Sequence, residues 1–124
     1  MRDVLLVAGG GAIGSLLRWW LSGLVQRAAG GAFPWGTFAV NAAGSLAIGF
    51  LGALALERAL VPPPFRLFAI VGVLGGFTTF SAFSYEALAL LRDGQWTAAA
   101  GYALGSLGVG VLAAFAGYAA AVRL

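Results

Sequence analysis

The chain has 124 residues, 61% hydrophobic and only 9% charged, with a formal charge of +3 from seven basic residues, all arginine, against four acids. An ordinary soluble domain is about 25% charged, so this composition excludes a water-covered surface and marks an integral membrane protein. The arginines stand singly at the ends of apolar runs, which excludes a nucleic-acid partner, and the lack of His and Cys removes the usual nucleophiles, bases and metal ligands, which excludes an enzyme.

The first apolar run extends from about Val4 to Val25, close to the roughly 20 residues needed to cross the hydrocarbon core. Met1-Arg2-Asp3 gives it no strongly basic leader, so it reads as a first span and not as a cleaved signal. Gly10, Gly14 and Arg18 repeat every four residues, so a groove of small residues leads to a cation. Trp19 and Trp20 are interface anchors; they predict that the hydrocarbon-embedded part ends near Arg18, whose guanidinium then sits at a water-filled mouth.

Gln26 to Pro34 separates this run from the second, Trp35 to Leu56. Thr37, Asn41, Ser45 and Gly49 again repeat by four. Small residues at this spacing ordinarily serve helix packing, and a serine hydroxyl can bond back to its own helix. Asn41 is different: a mid-span carboxamide has donors and an acceptor to satisfy, so a polar path or an interhelical bond must meet it.

Glu57 to Arg66, with Pro62, Pro63 and Pro64, precedes the third run, Leu67 to Leu91. Residues 75–84 read Gly-Gly-Phe-Thr-Thr-Phe-Ser-Ala-Phe-Ser and predict a broken helix, because such breaks occur in membranes where backbone lines a cavity or binds an ion. Exposed carbonyls there suit a hard cation, whereas hydroxyls and N–H groups suit an anion. Phe80 and Phe83, three apart, project from one face. A Phe pair in a span ordinarily packs, but its ring edges are partly positive and can face an anion without a fixed cation. With Asn41, Thr79, Ser81 and Tyr102 they form a donor-rich lining of low charge, from which an anion can also leave. Glu86 falls near the helix end and reads as a solvated or paired carboxylate.

Arg92 to Gln95 leads to the fourth run, Trp96 to Val122, where Tyr102, Ser106 and Gly110 repeat the spacing of four. No run alternates at period two, which argues against a barrel. The fold class is thus all-α with four transmembrane helices, about 4–25, 35–56, 67–91 and 96–122, in one transmembrane domain of residues 1–124. Such a bundle is too small to enclose a polar path alone. An even number of crossings puts Arg2, Arg58, Arg66 and Arg123 on one side, and Arg27, Arg92 and the mouth-facing Arg18 on the other. So small a bias instructs orientation weakly: one orientation with a modest preference and an oppositely inserted pair both remain open.

Three motifs carry a family resemblance. Gly10-Gly11-x-x-Gly14-x-x-x-Arg18, then Gly36-Thr37-Phe38-x-Val40-Asn41-x-x-Gly44-Ser45, then Gly75-Gly76-Phe77-Thr78-Thr79-Phe80-Ser81-x-Phe83-Ser84-x-Glu86 resemble the fluoride channel family (CrcB, also called Fluc). The resemblance implies a fluoride-selective channel of the cell inner (plasma) membrane, multi-pass, which passively exports fluoride and lowers its toxicity. It implies an antiparallel, dual-topology homodimer. Asn41, Phe80 and Phe83 would line the pore, Thr79, Ser81, Tyr102 and Ser106 would add polar lining, and Arg18 would be the vestibule cation. It also implies a structural Na+ at the dimer centre, held by backbone carbonyls of Gly75 and Thr78, with no organic cofactor. Ala82 and Gly110 depart from the hydroxyl residues that many relatives carry there. The rival reading is a small four-helix multidrug or cation exporter. That mechanism needs a carboxylate within the spans, and Glu86 is the one acid available, so Glu86→Gln is expected to separate exporter from channel.

Overall fold

The computed structural model describes residues 1–124. It is all-helical, with four helices long and apolar enough to span a membrane. Helix α1 (Arg2–Ala29) outruns the predicted first span at both ends. It ends where Gly30 and Gly31 adopt φ of 70° and 76°, left-handed values that glycine reaches without a Cβ penalty. Helix α2 (Trp35–Leu56) follows after a short loop whose Pro34 is buried. The third crossing is composite. Pro63–Phe65 starts it, with proline at the first helical position where its missing N–H costs nothing. Arg66–Leu74 is wound as a π-helix and Gly75–Phe77 returns to α-helical winding. We label residues 63–77 as α3. After two extended residues the crossing resumes as α4 (Phe80–Arg92), and α5 (Trp96–Val122) completes the fold. The third crossing therefore begins earlier than the apolar run suggested, because the prolines lie inside the first turn.

Two helix pairs build the bundle. α1 lies along α3, and its small-residue row is the seam: a Cβ on Gly14 would collide with the Val73 carbonyl and crowd the Phe77 N–H. The groove leading to Arg18 is thus filled by another part of the same chain. α2 lies along α5, where Gly117 meets the Leu46 carbonyl and Gly49 meets Ala114. Arg58 ties the far ends of these two together by donating from Nη1 to the Val122 carbonyl at 3.2 Å.

The interior is slight. Only 14 of 124 residues are buried, and Val40 and Tyr102 are the largest side chains fully enclosed. Large apolar side chains such as Leu5, Leu16, Leu104, Leu112 and Phe115 face outward. A soluble chain exposing this much apolar surface would aggregate, so lipid or another protein must cover it. α4 is the least embraced element: its inner side reaches α5 through Leu90, Ala99 and Tyr102, while Phe80, Ser81, Ser84, Tyr85 and Leu88 stay exposed.

Candidate functional site

The break between α3 and α4 is built by side chains replacing helical hydrogen bonds. Thr78 (φ −92°, ψ 155°) and Thr79 (φ −151°, ψ 120°) are extended. Asn41, in the middle of α2, meets this stretch with both ends of its carboxamide. Its Nδ2 donates to the Thr79 carbonyl at 3.0 Å, and its Oδ1 accepts the Thr79 N–H at 2.9 Å. The Thr79 hydroxyl caps α4 by accepting the Ala82 N–H at 3.1 Å, and lies 3.4 Å from the Ser81 hydroxyl. Thr78 turns its own hydroxyl back to the Leu74 carbonyl at 3.0 Å.

These bonds free two acceptors. In an unbroken helix each N–H goes to the carbonyl four residues earlier. The Thr79 N–H would then reach Gly75 and the Ala82 N–H would reach Thr78. Asn41 and the Thr79 hydroxyl take those donors instead. The Gly75 and Thr78 carbonyls are left without their helical partners at a cleft of about 420 Å³, which Asn41, Ser45, Thr79 and Phe80 also line. Arg18 approaches from α1, its Nε donating to the Gly76 carbonyl at 3.0 Å. The guanidinium placed at an open mouth by sequence is therefore tied by one nitrogen to the segment just before the break.

An aromatic and hydroxyl cluster lies on the inner side of α4. Phe80 and Phe83 have centroids 5.6 Å apart, and Phe83 packs on Tyr102 at 4.9 Å. The two phenylalanines differ in setting: Phe80 is 79% exposed, whereas Phe83 packs into the small core around the fully buried Tyr102. The Tyr102 hydroxyl, the Ser106 Oγ and one carboxylate oxygen of Glu86 are buried, and none makes a hydrogen bond. Thr37 and Glu86 flank the Tyr102 hydroxyl. A second cleft, of about 310 Å³, is lined by Trp19, Trp20, Gln26, Arg27, Thr37 and Glu86.

The sequence-predicted residues thus fall in two adjoining groups. Asn41, Thr79, Ser81 and Phe80 surround the break with Gly75 and Thr78, while Phe83, Tyr102 and Ser106 form the hydroxyl-bearing side. Glu86 belongs with the second group, since it flanks the Tyr102 hydroxyl, with one oxygen buried there and the residue also lining the second cleft. Its spacing of three from Phe83 was the available signal. Glu86→Gln consequently alters the site itself and no longer separates a channel from an exporter. Thr37 and Phe33 also join this group; Phe33, in a loop, carried no sequence signal.

The family described as CrcB-like protein, Camphor Resistance (CrcB), matches residues 5–118. The chain is 57% identical over 118 residues to the "Fluoride-specific ion channel FluC" of Thermus thermophilus, covering 95% of this chain and 94% of that protein. It is 49% identical over 119 residues to the protein of that name from Rhizobium meliloti, covering 96% and 95%. With the one from Opitutus terrae it shares 51% over 126 residues, covering 100% and 96%.

Proposed function

The chain belongs to the CrcB-like family, and from that membership we infer that it is a fluoride-selective ion channel, a multi-pass membrane protein and not an enzyme. The observation that carries the chemistry is the set of unspent hydroxyls on α5. A buried donor with no partner costs about 1–3 kcal/mol, and Tyr102 and Ser106 both hold one inside a span. An acceptor that arrives and departs accounts for that cost. Fluoride is such an acceptor: it has no proton to donate, and it must exchange its water shell for hydroxyls, the Asn41 amide region and the positive rims of Phe80 and Phe83. No fixed cation sits among these groups to hold it, which favours rapid exit. Larger halides are rejected by size and by weaker hydrogen bonding.

The pathway needs a second copy. Phe80 is exposed, and the cleft it helps line between α2, α3 and the break is open, so one chain supplies only part of a lining. An antiparallel, dual-topology homodimer completes it, and the weak arginine bias is compatible with insertion both ways. The Gly75 and Thr78 carbonyls suit a structural sodium ion, since both have lost their helical donors and hard cations take oxygen ligands. Bound there, the ion would supply positive charge that holds the two breaks together; it has no part in moving fluoride. Placement in the inner membrane, with passive export of fluoride, follows as the physiological role.

The test is flux from proteoliposomes loaded with fluoride or chloride, with a potassium ionophore to carry the counter-charge. Fluoride should empty quickly and chloride should stay; equal rates would remove selectivity from the reading.

A further inference from the structure

One hydrogen-bonded latch ties the loop before α2 to the rings around Tyr102. Gln26, in the last turn of α1, reaches over the loop to α2 with all of its carboxamide. Its Oε1 accepts the Gly36 N–H at 3.0 Å, one of the donors left free at the start of α2. Its Nε2 donates to the Phe33 carbonyl at 2.9 Å and to the Gly31 carbonyl at 3.3 Å. The loop residue it holds is not idle. The Phe33 ring stands edge-on to Tyr102, with centroids 5.4 Å apart and planes at 79°, and it packs into the core around Tyr102. Tyr102 is therefore gripped on two sides, by Phe33 from the loop and by Phe83 from α4. A further ring, Trp35, backs Phe33 at 4.5 Å.

We propose that Gln26 and Phe33 are positioning residues for the fluoride pathway: Gln26 fixes the loop, Phe33 fixes the Tyr102 ring, and Tyr102 sets the angle of Phe83. This rests on the reading that Phe83 and Tyr102 line that pathway. The physical basis is the stiffness of the chain of contacts. A hydroxyl on a fully buried ring can present its proton to a passing anion only if the ring is held, and this one makes no close hydrogen bond, with Thr37 and Glu86 only flanking it. Orientation must then come from packing on the ring, and Phe33 is one of the two aromatic rings that stand against it, within a core that also holds Leu90 and Ala99. Without Gln26 the loop keeps its length but loses the bonds that fix where Phe33 sits.

Proteoliposome fluoride efflux would be measured for Gln26→Met, Phe33→Leu and Phe33→Tyr, with Phe83→Ile alongside. Gln26→Met keeps length and removes every latch bond. The second readout is the Tyr102 side-chain resonance in carbon-13 tyrosine-labelled protein, picked out from three tyrosines by its loss in Tyr102→Phe. The expected result is about a tenfold fall in efflux for Gln26→Met and Phe33→Leu, with near wild-type efflux for Phe33→Tyr. The Tyr102 resonance should move in Gln26→Met, although Gln26 bonds only to the loop and α2. Should Gln26→Met fail to assemble, Phe33→Leu carries the same test. Wild-type efflux in Gln26→Met and Phe33→Leu while Phe83→Ile is silent would overturn this inference alone. An unmoved Tyr102 resonance in a slowed Gln26→Met would overturn it too. Full conduction by Phe83→Ile as well would bring down the pathway reading beneath it.

Discussion

Ser106 and Tyr102 carry buried hydroxyls without a hydrogen-bond partner in the chain, so their proposed place in the pathway can be told apart from packing. Ser106→Ala removes an unpaired buried polar atom, so thermal stability in detergent should hold or rise by up to about 1 kcal/mol. Fluoride efflux should nevertheless fall about tenfold or more. A parallel loss of stability and flux would instead make the serine structural. Phe83→Ile reverses the pattern in part: the ring contact with Tyr102 is worth about 0.5–1.5 kcal/mol, so a modest drop in melting temperature should accompany lost conduction by an assembled dimer. At this scale sequence reading went only so far. Asn41 announced itself because a mid-span amide must be satisfied, but its partner, the Thr79 backbone, is 38 residues away and has no side-chain signature. Glu86 was expected near a helix end as a solvated or paired carboxylate; one of its oxygens is buried beside Tyr102 without a partner, while the residue also lines the second cleft.

Among the elements, the third crossing differs most from an ordinary span. Its break was foreseeable from paired glycines and threonines, since no other run concentrates residues able to leave and re-enter a helix. The π-wound stretch before it was not, because Arg66–Leu74 is an ordinary apolar string and nothing in its local sequence explains the wider winding. The break is held from outside, by α2. Asn41→Asp tests this directly: the carboxylate can still accept the Thr79 N–H, but it faces the Thr79 carbonyl with no donor and puts negative charge beside the anion route. Fluoride efflux should be abolished, and stability should fall by about 1–3 kcal/mol, measured by thermal unfolding in detergent. Retained conduction would detach Asn41 from the pathway. The seams were legible as rows of small residues at a spacing of four, yet not which helix each row meets. Gly14 could have faced lipid or a second copy; it faces Val73.

Taken whole, the molecule leaves much of its apolar surface for lipid or another protein to cover. Membrane class and four spans followed from composition and run length, because both depend on totals and not on contacts. Assembly did not follow, because a surface that sheds water looks the same whether lipid or protein covers it. If sodium bridges the Gly75 and Thr78 carbonyls of paired copies, replacing it with N-methyl-glucamine should lower the temperature at which the detergent-solubilised dimer dissociates, while chloride-for-gluconate exchange should not; an unchanged midpoint would leave those carbonyls to some other partner. The open cleft between α2 and the break also bears on dosage. If a second copy is needed to finish the route, as proposed, conduction arises only by encounter. At sparse expression the ion current per cell should climb with the square of the number of chains, bending to simple proportionality once nearly every copy has found a mate.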